Sequence, residues 1–138
     1  VEPVVIVGAA VVRDGALLVQ QRAYPAEAAG LWELPGGRVE RGESETDAVR
    51  RECAEELSVA VVPGERVGAD VALPGGKVLR VYGAVLADAV EPRAVEHRAL
   101  RWVTGPELAC VDWLPADRVL VPALRALLDA SPGQATRE

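Results

Sequence analysis

The chain has 138 residues, half of them apolar, which is one domain's worth and enough to bury a core without disulfide or metal staples. Its 21 acids and 15 Lys/Arg leave a net charge of −6. That excludes a nucleic acid polymer as partner, because clustered basic residues supply such affinity, and aromatics at 4% leave no base-stacking platform.

Residues 4–12 are rich in β-branched side chains and predict a buried strand. The run is too short to cross a bilayer and lacks the basic flank and cleavage site of a signal peptide. Asp14-Gly15 is a hairpin signal, and residues 16–21 are expected to pair back as a second strand. A polar loop follows over 22–30, then a short extended piece over 31–34 that stops at Pro35-Gly36-Gly37. Ser44-x-x-Asp47 outlines a capping box and opens a helix to about Leu57, whose apolar stripe is Val49, Cys53 and Leu57. A strand beginning at 59–62 is expected to break at Pro63-Gly64, and residues 67–73 and 78–87 to form a hairpin across Pro74-Gly75-Gly76. Residues 92–98 read as a charged loop, 100–103 as a short strand, and Thr104-Gly105-Pro106-Glu107 as a brief helical turn. A last helix is predicted over about 121–130. Strands, one helix, strands and one helix in that order predict an α/β fold, a mixed sheet with a helix on each side. Residues 1–131 form one domain on this reading, and 132–138 a flexible tail. The two cysteines, Cys53 and Cys110, fit neither metal spacing nor a disulfide framework, so reduced thiols in a cytoplasmic protein are expected.

The chemistry concentrates between Gly37 and Val59, a stretch with seven acids and four bases. Glu52, Glu55 and Glu56 fall at i, i+3 and i+4, so all three carboxylates share one helix face. At the roughly 5–6 Å separating such neighbours, each like-charged pair costs about 3 kcal/mol at an effective dielectric of about 20, before screening. Either the acids splay into water, with Arg51 pairing to Glu55, or they gather round a cation. Oxygen-only ligands suit Mg²⁺, with Mn²⁺ the alternative, and a single histidine, His97, argues against zinc.

The spacing Gly37-x5-Glu43-x7-Arg51-Glu52-x-x-Glu55-Glu56-x-Ser58-Val59 resembles the Nudix box. Two positions depart from it: Cys53 stands where a bulky aliphatic is expected, and Ser58 where glycine would allow a left-handed helix cap. The resemblance spans nearly the whole chain and implies an α/β/α sandwich with a central mixed β-sheet. It also implies metal-dependent hydrolysis, with Glu52, Glu55, Glu56 and the Gly37 carbonyl as ligands and Arg51 orienting a box glutamate. Trp32-Glu33-Leu34-Pro35-Gly36-Gly37 and Trp102-Val103 … Trp113-Leu114-Pro115-Ala116-Asp117 resemble the MutT type, which cleaves a nucleoside triphosphate to the monophosphate and pyrophosphate. On that resemblance Arg22 contacts phosphate and Glu96 is an extra metal ligand or general base. Glu43, Glu52 and Glu96 all stand as candidates for the base. Trp32, Leu34 and Tyr82 are candidate base-pocket residues, each with a place in the core as the alternative. His97 reads as a surface residue.

Asp117 occupies the position that resembles the base-reading Asn of 8-oxoguanine enzymes. An ionised Asp only accepts, which suits the N4 amine of cytosine and repels O6 of a purine. The expected substrates are therefore CTP, dCTP and 5-methyl-dCTP. The alternatives are 8-oxo-dGTP, in a nucleotide pool sanitation and DNA repair role, and, from another class, a non-catalytic nucleotide sensor. A monomer and a homodimer are both open.

Overall fold

The computed structural model describes residues 2–130, so the tail expected over 132–138 lies outside the described residues. Seven strands form a mixed sheet: β1 (Val4–Arg13), β2 (Ala16–Gln21), β3 (Trp32–Glu33), β4 (Gly36–Arg38), β5 (Val61–Leu73), β6 (Lys77–Leu86) and β7 (Ala99–Thr104). The helices are α1 (Glu45–Leu57), α2 (Pro115–Arg118) and α3 (Val121–Asp129), with a 3₁₀ turn over Gly105–Cys110. The strand order is β3-β2-β1-β6-β5, with β4 added on β1 and β7 on β2. β1 is the axis. Residues 4–11 pair in parallel with β6, and only Val12 and Arg13 pair with β2, through the Asp14-Gly15 turn. Both turn residues have positive φ, 52° and 76°, the twist that a two-residue hairpin requires.

The two faces of the sheet carry separate cores. On one, Val7, Ala9, Val11 and Leu18 pack against Val49, Cys53 and Leu57 of α1. On the other, Leu17, Val19, Val81 and Val103 pack against Trp113, Leu124 and Leu128. This is the expected α/β/α sandwich. Among the described residues no helix is long and apolar enough to cross a membrane.

Two expectations are corrected and one element is added. The break at Pro63-Gly64 does not occur: β5 runs through it with register shifts between Pro63 and Arg66 and between Val67 and Val71. β5 lies at the sheet edge, where a residue without an N–H removes no ladder bond that the sheet needs. Gly36 and Gly37 are not only a turn, because they pair with Gly8 and Val7 as β4. Residues 115–118 add a short helix that sequence periodicity is too brief to reveal.

Candidate active site

Helix α1 sets three carboxylates beside β4. Ser44 caps its start by accepting from the Asp47 amide at 3.1 Å, but Asp47 turns to Arg50 instead of closing a capping box. Ser58 ends it in the left-handed conformation, φ 58° and ψ 38°, at the position where glycine was expected. Cys53, the other departure, is fully buried on the sheet side, and that burial pushes its thiol up to about 12.

β4 approaches so closely that glycine is required at 36, and any side chain at 37 would displace the Glu52 carboxylate. A Cβ on Gly36 would run into the Val7 carbonyl, and one on Gly37 into the Glu52 carboxylate. Gly36 donates its N–H to Glu56 Oε1 at 3.1 Å, and Gln20 Nε2 donates to the same oxygen at 3.0 Å. Glu56 is thereby fixed by one oxygen. Burial raises the pKa of both Glu52 and Glu56; the Glu52 charge raises Glu56 further, and the Glu55 and Glu40 charges raise Glu52.

Arg51 is the hub of this face. It meets Glu43 through Nε at 2.7 Å and Nη2 at 3.0 Å, and donates from Nη1 to Glu52 at 2.9 Å and Glu55 at 3.3 Å. Its Nη2 also donates to the Arg38 carbonyl at 2.9 Å. The guanidinium on both its oxygens lowers Glu43 to about 2. A carboxylate so held makes a poor proton acceptor near neutral pH, which leaves Glu52 and Glu96 as the candidate bases.

Glu56 also lines a cleft of about 130 Å³ with Arg22, Ala23, Tyr24, Glu96 and His97. Arg22, Glu56 and Glu96, far apart in sequence, thus face one space. A larger apolar groove of about 590 Å³ lies between β5, β6 and the end of α3, remote from the carboxylates.

Two residues of this region, Gln20 and Glu33, escaped sequence reading, and a third, His97, is corrected. Gln20 is fully buried and its Oε1 has no partner among the described residues. Glu33 on β3 accepts from Arg22 at 3.5 Å and pairs with His97 Nε2 at 2.8 Å. His97, expected at the surface, has a side chain only 12% exposed. The available signal was a polar Gln ending the apolar run of β2, with Glu33 as its cross-strand partner.

The base-pocket candidates separate. Leu34 is buried and its N–H donates to Asp117 Oδ2 at 3.0 Å. Trp32 bridges to Trp113 beneath the Arg101 guanidinium. Tyr82 does not join them. Strand alternation turns it to the α1 face, where its hydroxyl meets Glu45 Oε1 at 2.5 Å. Asp117 is 7% exposed, and burial raises its carboxyl to about 7.

The donor set fits a hard divalent cation. Its members are carboxylate oxygens, two of them on half-buried residues, with an unpartnered amide oxygen at Gln20 beside Glu56. As the side chains stand, no three acids, His or Cys converge at ligating distance among the described residues, because Glu55 is turned out to Arg51. The residues that could hold the cation are those the family resemblance implies, Glu52, Glu55, Glu56 and the Gly37 carbonyl, with Glu96 as an extra ligand.

Comparisons with known proteins agree with this architecture. A protein of Mycobacterium tuberculosis (strain ATCC 25618 / H37Rv), provisionally named 8-oxo-dGTP diphosphatase 2, is 48% identical over 136 residues, 96% of each chain. The CTP pyrophosphohydrolase of Escherichia coli (strain K12) is 36% identical over 128 residues, 92% of this chain and 95% of that one. The solution structure of the E. coli ORF135 protein superposes with a TM-score of 0.79 at 35% identity, covering 95% and 94% of the two chains. The NUDIX domain model matches residues 2–126, and the chain belongs to the Nudix family of hydrolases.

Proposed function

We propose that this protein is a metal-dependent nucleoside triphosphate pyrophosphohydrolase that prefers cytosine nucleotides, releasing the monophosphate and pyrophosphate. The observation that carries the hydrolytic part is the burial of Glu52 and Glu56 against Gly37 and Gly36, beside a cleft that also holds Arg22 and Glu96. A bound divalent cation, Mg²⁺ or Mn²⁺, would neutralise phosphate oxygens and acidify water. The chain's own residues then have distinct tasks. Arg22 offers the phosphates a planar pair of donors. Arg51 holds Glu52 and Glu55 in place, and Gln20 with the Gly36 amide fixes Glu56. Glu52 or Glu96 accepts the proton of the attacking water.

The preference for cytosine rests on Asp117. Its Oδ2 is held by the Leu34 amide, which fixes the carboxylate beside Leu34. In its ionised form the remaining oxygen is an acceptor that matches the N4 amine of cytosine. A second reading, 8-oxo-dGTP hydrolysis, is favoured by the raised carboxyl of Asp117, since a neutral acid donates as well as accepts. The names of the two relatives divide along the same line. A non-catalytic sensor is disfavoured because every acid of the Nudix box is present. The experiment is a side-by-side measurement of kcat/KM on dCTP, 5-methyl-dCTP and 8-oxo-dGTP with Mg²⁺. A clear lead for 8-oxo-dGTP overturns the cytosine preference, and nucleotide binding without phosphate release from any of the three overturns the hydrolase reading.

A further inference from the structure

The loop between β6 and β7 carries Glu96, yet Glu96 itself is poorly tethered. It is exposed, and its side-chain partner is the Tyr24 hydroxyl at 3.5 Å. Its neighbours are tied down instead. The Val95 amide donates to the Glu56 carbonyl at 3.3 Å, and the Arg98 amide donates to the Gln21 carbonyl at 2.8 Å. Between these two anchors the His97 side chain turns inward and meets Glu33 Oε2 at 2.8 Å. An ionised carboxylate only accepts, so Nε2 is the nitrogen that donates. Nδ1 is left buried with no partner among the described residues, a loss of stability that a purely structural side chain such as leucine would avoid.

We propose that His97, clasped by Glu33, is a positioning residue that holds the Glu96 loop against the cleft, so that Glu96 faces Glu56 and Arg22 in a fixed place. The proposal rests on the hydrolytic reading of this cleft. Fixing a loop before substrate arrives removes an ordering cost that would otherwise fall on the reaction step. The clasp also links the loop to Arg22, because Glu33 accepts from both side chains.

The test is steady-state kinetics with Mg²⁺ on whichever of dCTP and 8-oxo-dGTP is turned over faster. His97→Ala is expected to lower kcat about tenfold to a hundredfold with little change in KM. His97→Gln, whose Nε2 can still donate to Glu33, should recover most of that rate. His97→Asn, whose shorter amide occupies the Nδ1 position, should not. The double variant His97→Ala/Glu96→Gln should be no slower than Glu96→Gln alone, since His97 acts through Glu96. Wild-type kcat in His97→Ala, failure of His97→Gln to recover the rate, or losses that multiply in the double variant would each overturn the proposal. The underlying reading fails separately, if Glu56→Gln keeps wild-type turnover.

Discussion

Arg51 meets the Glu43 carboxylate fork to fork, with Nε and Nη2 at 2.7 and 3.0 Å from its two oxygens. Seven residues separate the pair, and the bond ties the loop before α1 to the face that carries Glu52 and Glu55. Lysine has one point charge and cannot reproduce the fork while also reaching Glu52 and the Arg38 carbonyl. Arg51→Lys is therefore expected to lower kcat about tenfold or more, read by steady-state kinetics, with the circular dichroism spectrum unchanged. A variant with full activity would show that the hub does not orient the acids.

Glu56 is half-buried with its pKa raised by desolvation, so a neutral isostere fits its place without leaving a charge behind. Glu56→Gln should melt at or slightly above the wild-type temperature while losing about a hundredfold or more in kcat. Glu55→Gln, at an exposed site, should likewise lose activity and keep its stability. Chelation by EDTA should abolish turnover of the wild type and added Mg²⁺ restore it; turnover persisting after chelation would refute the scheme.

The carboxyl of Asp117 lies at about 7 when folded, above its ordinary 3.8. The folded state therefore holds a proton that the unfolded chain releases. Stability attached to this group is full below about pH 4, falls as pH rises towards 7, and is level above that. The fall is on the order of 2–4 kcal/mol for this group, reduced by relaxation round the charge. Asp117→Asn keeps an oxygen for the Leu34 amide and removes the titration. Urea melts at pH 5 and pH 8 should show a smaller loss of stability in the variant than in the wild type. Equal slopes would place the Asp117 carboxyl near its ordinary value.

Ser58 adopts a left-handed conformation that a side chain disfavours, and glycine does not. Ser58→Gly should stabilise the fold by about 0.5–1 kcal/mol, less the bond that Ser58 Oγ accepts from Arg93 at 3.3 Å. Thermal or urea denaturation reads this directly, and a destabilised variant would mean the Arg93 bond outweighs the backbone strain.

Much of this protein is legible in its sequence, because the responsible forces are local. The Asp14-Gly15 hairpin follows from backbone sterics within two residues. The shared face of Glu52, Glu55 and Glu56 follows from helical periodicity, and the left-handed cap that Ser58 adopts falls where the Nudix-box resemblance implies a glycine. The net charge of −6 is likewise read from composition alone, whereas the pairing of Glu43, Glu52 and Glu55 with one arginine is not. Tertiary structure alone decided what depends on contacts distant in sequence. Tyr82 was sent to the α1 face by the register of β6 on β1, and β5 continued through Pro63 because it is an edge strand. His97 became a half-buried partner of Glu33, 64 positions away, and Asp117 was drawn to the Leu34 amide, 83 positions away. A side chain's periodicity is written in its neighbours, whereas its burial and its hydrogen-bond partner are set only when strands from opposite ends of the chain meet.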